Sequence, residues 1–304
     1  MQILDTDQTR ARLDYAGLAQ AVAEVLRQGR ANAPVRTALG LPQAGTLLLM
    51  PAADDDIAMT KLVTVHPHNV ERDLPTIQGE MVVMDARTGV RYGQLDGATV
   101  SARRTAAVSL LAAQCLAPQP ASPLLIVGAG AQARAHLEAF HEGLGVDTVF
   151  IASRTRERAE RLGAYARERG LTATVVDSPQ AALGDARLIA TTTTSREPVL
   201  PDTLPEDAFV AAVGAFNPEM AELSPALIAG STVFVDTLEG AREEAGDLIQ
   251  AQRAGRFDWD RARTLQQALA LDAKPAGPVL FKSVGCSLWD LAAARLAFAG
   301  EQTG

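Results

Sequence analysis

The sequence predicts an α/β fold organised around a dinucleotide-binding unit, and three observations predict it. Residues 124–137 read LLIVGAGAQARAHL, four apolar residues running into a glycine turn and then a helical pattern. From residue 148 to residue 236, short apolar strands alternate with helical segments, as in a parallel sheet with crossover helices. Before both lies a region of another kind: an amphipathic helix, two strands, a hairpin and a long helix. The proline-rich residues 117–123 (APQPASP) cut it off and read as a linker.

Composition bounds the function classes. The 304 residues suffice for about two domains. Hydrophobic residues at 47% and charged residues at 21% are ordinary for a soluble globular chain. A net charge of −8 with no basic run disfavours nucleic acid as a partner. No apolar run approaches the ~20 residues of a membrane span. The start, MQILDTDQTRARLDY, lacks the apolar core of a signal peptide, so the cytoplasm is expected. Cys115 and Cys286 stand alone, with no metal spacing, and are expected as reduced, buried thiols.

The elements follow in order. Asp14 is placed to N-cap a helix in which Tyr15, Leu18, Ala19, Val22, Val25 and Leu26 recur at helical spacing, ending at Gly29. Residues 46–50 and 57–65 read as strands. Lys61 sits in the middle of the second, as an outward-facing edge residue or as a cation aimed into a site. Residues 66–76 read as a loop, where His66 and His68 lack a third metal ligand. Residues 78–85 and 90–95 flank Arg87-Thr88-Gly89 and read as a β-hairpin. A helix is expected from about Thr99 to Leu116, with Arg103 and Arg104 in its first turns. Cations there are disfavoured without an anionic partner. Either both are solvated, or one is exposed and the other is aimed at a ligand anion.

The glycine turn comes next. Gly128 permits a sharp turn, Gly130 lets the backbone approach a pyrophosphate, and Ala133 lets the helix pack close to the strand. Ala131 and Gln132 open the helix, whose free N–H groups and partial positive charge suit phosphates. The following strand, residues 148–152, ends in Ser153-Arg154-Thr155. An acid there would hold the ribose 2′-hydroxyl of NAD; a serine, an arginine and a threonine suit a 2′-phosphate instead. The expected cofactor is therefore NADPH, with NADH the lesser option. Strands at 173–176, 188–190, 209–213 and 233–235 continue the alternation, with a short helix at 179–183. Thr191 and Thr192 lie at a strand's carboxyl end, over the cofactor. Asp236 lies at another, as a functional group or as a helix N-cap. Residues 277–285 (GPVLFKSVG) and an apolar helix at 288–298 are expected too late in the chain for the core of the nucleotide sheet, returning to the first domain.

Taken together these residues resemble the ornithine cyclodeaminase/mu-crystallin family. The resemblance is carried by MPA at 50–52, TKLVT at 60–64, LDG at 95–97, RRTAAVS at 103–109, VGAGAQARAH at 127–136, SRT at 153–155 and GPVLFKSVG at 277–285. It implies a Rossmann dinucleotide-binding domain inserted in an α+β substrate and dimerisation domain formed by both chain ends. The expected boundaries are 1–117, 118–280 and 281–304, in a homodimer. It also implies that Arg36 and Arg104 hold a substrate carboxylate and that Lys61 is the site lysine. Met50 and Glu80 are expected to line the pocket, either Lys61 or Glu80 supplying a proton. Ser283 joins the expected cofactor residues.

One departure chooses the subgroup. Cyclodeaminases of this family carry an aspartate after two small residues, before a Pro-Gly-Lys-x-Glu-Leu run. Here the run is Gly214-Ala215-Phe216-Asn217-Pro218-Glu219-Met220-Ala221-Glu222-Leu223, with Phe216 in the aspartate's column and Met220 in the lysine's. An apolar ring moves no protons. The chain is therefore similar to the family's ketimine reductases, which reduce Δ1-pyrroline-2-carboxylate and Δ1-piperideine-2-carboxylate to L-proline and L-pipecolate. Phe216 and Met50 would then shape an apolar wall beside the ring. The alternatives are a cyclodeaminase-type lyase with NAD, an open-chain amino-acid dehydrogenase, and a non-catalytic NADPH-dependent binding protein.

Overall fold

A computed structural model describes residues 2–301. Its first elements are β1 (Gln2–Ile3), α1 (Thr6–Ala11), α2 (Tyr15–Gln28), β2 (Thr37–Leu41), β3 (Gly45–Ala53), β4 (Ile57–Val65), β5 (Ile77–Asp85), β6 (Arg91–Asp96) and α3 (Gly97–Leu116). Then come β7 (Leu124–Val127), α4 (Ala131–Leu144), β8 (Thr148–Ala152), α5 (Arg156–Glu168), β9 (Thr172–Val176), β10 (Leu188–Thr191), β11 (Phe209–Ala212), α6 (Pro225–Ala229) and β12 (Thr232–Val235). The last are α7 (Leu238–Glu244), α8 (Gly246–Arg253), β13 (Arg263–Thr264), α9 (Leu265–Ala268), β14 (Val279–Lys282) and α10 (Ser287–Ala297). Two compact units result: one from both chain ends, up to Val108 and from Cys286, and one from Ser109–Gly285.

In the first unit, strands order as β1-β6-β5-β4-β3-β2, antiparallel except where β1 joins β6. Alternation along β4 assigns the faces. Ile57, Met59, Lys61 and Val63 are buried, while Ala58, Thr60, Leu62 and Thr64 are only half-buried. Helix α10 packs on β3, β4 and α2 and covers the buried side. Helix α2 begins and ends where its sequence says: Asp14 accepts the Gly17 N–H at 2.7 Å, and Gly29 closes it at φ +61°. Helix α3 starts two residues before the expected Thr99, and the Asp96 carboxylate accepts the Thr99 N–H at 2.7 Å. The edge strand β2 escapes the pattern reading because its TALGL carries glycine and is mostly exposed.

The second unit is a parallel sheet of order β13-β12-β14-β11-β10-β7-β8-β9. Its central strands, LLIV, LIAT, FVAA and VLFK, are buried throughout, as parallel strands covered on both faces must be. The last of these corrects the expectation for the tail. Strand β14 lies between β12 and β11, so a boundary at 280/281 would cut it. Crossover connections, not chain order, set a strand's place in such a sheet. The expected boundary at 117/118 also moves, since the division falls inside α3. The prolines of residues 117–123 stop that helix rather than separate domains. The expected short helix at 179–183 is a 3-10 turn, Pro179–Ala182. Cys115 and Cys286 are half-buried rather than fully buried, and neither is in a disulfide. No helix among the described residues is long and apolar enough to cross a membrane.

Candidate active site

Strand β4 delivers Lys61 to the buried face of the first unit, with Met50 of β3 beside it in register. Its ammonium pairs with Asp290 of α10: Nζ lies 2.8 Å from Oδ1. The same oxygen accepts a bond from Nε of Arg104 at 3.0 Å. Lys61 is 1% exposed, Arg104 6% and Asp290 0%. Ions this deep persist only when paired and hydrogen-bonded. Yet Nη1 of Arg104 is buried without a hydrogen-bond partner, a donor aimed at an absent acceptor. A carboxylate fits that donor.

Burial and, after it, neighbouring charges tune the lysine. Burial, the largest cause, lowers the Lys61 pKa to about 8; Asp290 opposes this, while Arg104 and then Arg36 add to it. Half-buried Arg36, just ahead of β2, is thereby coupled to the same cluster. The choice left open for the two neighbouring arginines resolves with neither solvated. Arg103 donates Nε to the Leu13 carbonyl at 2.6 Å and stacks over the Tyr15 ring at 3.9 Å, so it fastens α3, while Arg104 serves the cluster.

Glu80 is a correction. On β5 it pairs in register with Leu62, whereas Lys61 pairs with Met81. Successive residues of a strand point to opposite faces, so Glu80 is exposed on the face away from Lys61. A glutamate two letters past Gln78 carries no signal of face until the register is known. Conversely, sequence reasoning missed Asp290. The available signal was one aspartate inside the apolar helix SLWDLAAARLA.

The second unit carries the phosphate cradle. Gly128 has φ +119°, and a Cβ on it would fall 2.5 Å from Oγ1 of Thr192. A Cβ on Gly130 would meet nothing within 4 Å, so that space is open to a ligand. Helix α4 starts on Gly130 with no side chain capping its first N–H groups, and Ala133 is fully buried against the unit's core. These features fit a dinucleotide pyrophosphate. Ala131 is exposed and Gln132 half-buried at the helix start. At the end of β8, Ser153 is half-buried and Arg154 and Thr155 are exposed, with no acid among them. At the end of β10, Thr191 buries an Oγ1 without a partner, and Thr192 donates to the Val127 carbonyl at 3.3 Å.

Ser283 and Asp236 bond to one another past the ends of β14 and β12. The Ser283 hydroxyl donates to Asp236 Oδ2 at 2.8 Å, and that oxygen also accepts the Val284 and Gly285 N–H groups. Thr237, not Asp236, caps α7. Phe216, past the end of β11, is 42% exposed, whereas Met220 is buried. The described residues contain no group of three or more His, Cys, Asp or Glu side chains placed to hold a metal ion.

The ornithine cyclodeaminase/mu-crystallin family profile matches residues 3–300. A Δ1-pyrroline-2-carboxylate/Δ1-piperideine-2-carboxylate reductase of Azospirillum brasilense is 39% identical over 304 residues, covering 97% of this chain and 94% of its own. The Thermococcus litoralis Δ1-pyrroline-2-carboxylate reductase in complex with NADH and L-proline superposes with a TM-score of 0.92 at 25% identity, over 98% of this chain and 97% of that one. An archaeal alanine dehydrogenase dimer with bound NAD superposes at 0.89, 26% identical, over 100% and 98%.

Proposed function

The chain belongs to the ornithine cyclodeaminase/mu-crystallin family, and from that premise we propose that it reduces Δ1-pyrroline-2-carboxylate and Δ1-piperideine-2-carboxylate to L-proline and L-pipecolate. It is an NAD(P)H-dependent oxidoreductase acting on C=N bonds. One observation carries the choice of substrate: a buried lysine and arginine share one aspartate oxygen, and the arginine's Nη1 has no hydrogen-bond partner. A cyclic imino acid offers both complements, a carboxylate for the arginine and, beside it, a ring nitrogen for the lysine.

When bound, the dihydronicotinamide supplies the hydride; the side chains do the rest. Arg104 through Nη1, with Arg36, holds the carboxylate and so orients the ring. Lys61, with its pKa near 8, is charged at neutral pH yet gives up its proton readily. It protonates the imine nitrogen, which makes C2 electrophilic. Asp290 keeps Lys61 and Arg104 a fixed distance apart. Met50 lends an apolar surface beside Lys61, and Phe216 replaces the acid that a deaminating enzyme needs. Ser153, Arg154 and Thr155 favour NADPH over NADH.

The assembly is a homodimer. The uncovered face of the first unit's sheet presents Leu39, Leu47, Leu49, Leu62 and Val82, an apolar surface of the kind that seeks a partner. A second copy of the same sheet satisfies it with closed two-fold symmetry.

The deciding assay follows the absorbance of the reduced cofactor with each cyclic imine, first with NADPH and then with NADH. Oxidation with either imine, faster with NADPH, is expected. Turnover of pyruvate plus ammonia or methylamine without imine turnover, or ammonia release from L-ornithine, would overturn the reading.

A further inference from the structure

A second buried ionic cluster lies in the parallel-sheet unit, at the carboxyl ends of β10, β11 and β14. Glu222 is fully buried and accepts three bonds: the Thr193 N–H at 2.6 Å and its hydroxyl at 2.9 Å on Oε1, and the Gly214 N–H at 2.7 Å on Oε2. Thr193 follows β10 and Gly214 follows β11, two adjacent strands of the sheet. Their loops meet closely there, for a Cβ on Gly214 would collide with the Thr193 backbone. Asp247 of α8 holds Glu222 from behind, its Oδ1 accepting the N–H groups of Glu222 at 2.5 Å and Leu223 at 2.9 Å. Its Oδ2 faces Lys282 Nζ at 2.7 Å. Lys282 ends β14, in register with Ala212 of β11.

We propose that Lys282, Asp247 and Glu222 are positioning residues that clamp the loops after β10 and β11 into a docking floor for the nicotinamide half of the cofactor. This rests on the nicotinamide reading above. The location supports it, because open parallel sheets bind ligands just beyond their strands' carboxyl ends. So does the chemistry. A buried lysine with two carboxylates adds little to stability compared with apolar packing, and its gain is a fixed geometry. A carboxylate is acceptor-only and meets three donors, which no neutral side chain of its size does. Burial pushes the Glu222 carboxyl above its ordinary range; Lys282 works against that rise and Asp247 with it. The same cluster pins residues 214–222, the loop that carries Phe216.

The test is binding, not turnover. Glu222→Gln keeps the volume but sets an amide NH2 against a backbone N–H. We expect its affinity for NADPH to fall at least ~10-fold, the scale of one charge-assisted hydrogen bond. Its affinity for adenosine 2′,5′-bisphosphate, which lacks the nicotinamide, should stay unchanged, and the fluorescence of bound NADPH should revert toward that of the free cofactor. NADH and ADP-ribose serve instead if the wild type binds NADH more tightly. Equal losses for the whole cofactor and its adenosine half mean a merely structural role and overturn the proposal, as does no loss for either. If Glu222→Gln fails to fold, the pair Asp247→Asn with Lys282→Met decides by the same ratio, since asparagine still accepts both N–H groups. A wild-type protein that binds neither NADPH nor NADH would overturn the nicotinamide reading itself. Wild-type binding without the selective loss overturns only the clamp.

Discussion

Lys61 holds its charge in a place that disfavours charge, and Asp290 is what permits it. Burial sets the Lys61 pKa near 8. If this ammonium is the proton donor, kcat/KM falls as pH rises through about 8, and a rate that stays flat across that range sinks the assignment. Lys61→Ala removes the limb and lowers turnover at least ~10²-fold, as does Arg104→Ala at the carboxylate. Stability carries the opposite sign. The folded pKa lies below the unfolded value of 10.5, so between about 8 and 10.5 the unfolded chain holds more protons. The lysine's burial cost is therefore full below pH 8 and relieved above it. Asp290→Asn strips both cations of their counter-charge. It should cost about 3–5 kcal/mol by urea unfolding and move the kinetic limb below 8.

At the scale of the element, the start of α4 divides its two glycines by role. Gly130→Ala places a methyl in open space, so the melting temperature should hold while NADPH affinity falls at least ~10-fold, because the pyrophosphate must approach that backbone. Gly128→Ala meets a φ of +119° and the Thr192 hydroxyl, so it should destabilise the fold by ~1–3 kcal/mol or more. Thermal unfolding with and without cofactor separates the two. Arg154 stands exposed at the end of β8, and Arg154→Ala should reduce the preference for NADPH over NADH at least ~10-fold in paired Kd measurements. Were the ratio unmoved, the 2′-phosphate would have to be held elsewhere.

At the scale of the whole molecule, the first unit's sheet covers one face with its own helices and leaves on the other a group of leucines bordered by Thr60, Thr64, Gln78 and Glu80. Sedimentation should report twice the 32.0 kDa chain mass. Leu62→Arg, on a half-buried outward position, should give a folded monomer. A wild-type monomer at micromolar concentration would remove the dimer from the proposal. Glu80 shares this outward face, so its variants should alter assembly more than proton transfer.

Much of this was legible along the chain. The glycine turn, the acid-free end of β8, the strand–helix alternation and the caps of α2 are local patterns, and local patterns follow from backbone sterics and hydrogen-bond needs within a few residues. The chemistry of Lys61 and Arg104 was legible only as a choice: a lysine facing outward or into a site, and an arginine in a helix's first turns that is solvated or needs an anion. Their partner was not, because Asp290 stands 229 residues from Lys61 and only the packing of α10 on β4 brings them together. Nor was the face of Glu80, since a register shift of one residue exchanges the two sides of a strand. The place of β14 was decided by crossovers, and the clamp on the β10 and β11 loops by three side chains from distant segments. Sequence alone determined which chemistry the chain carries and where its backbone turns. Tertiary structure decided which charges meet, because burial and pairing are properties of contacts that no single segment contains.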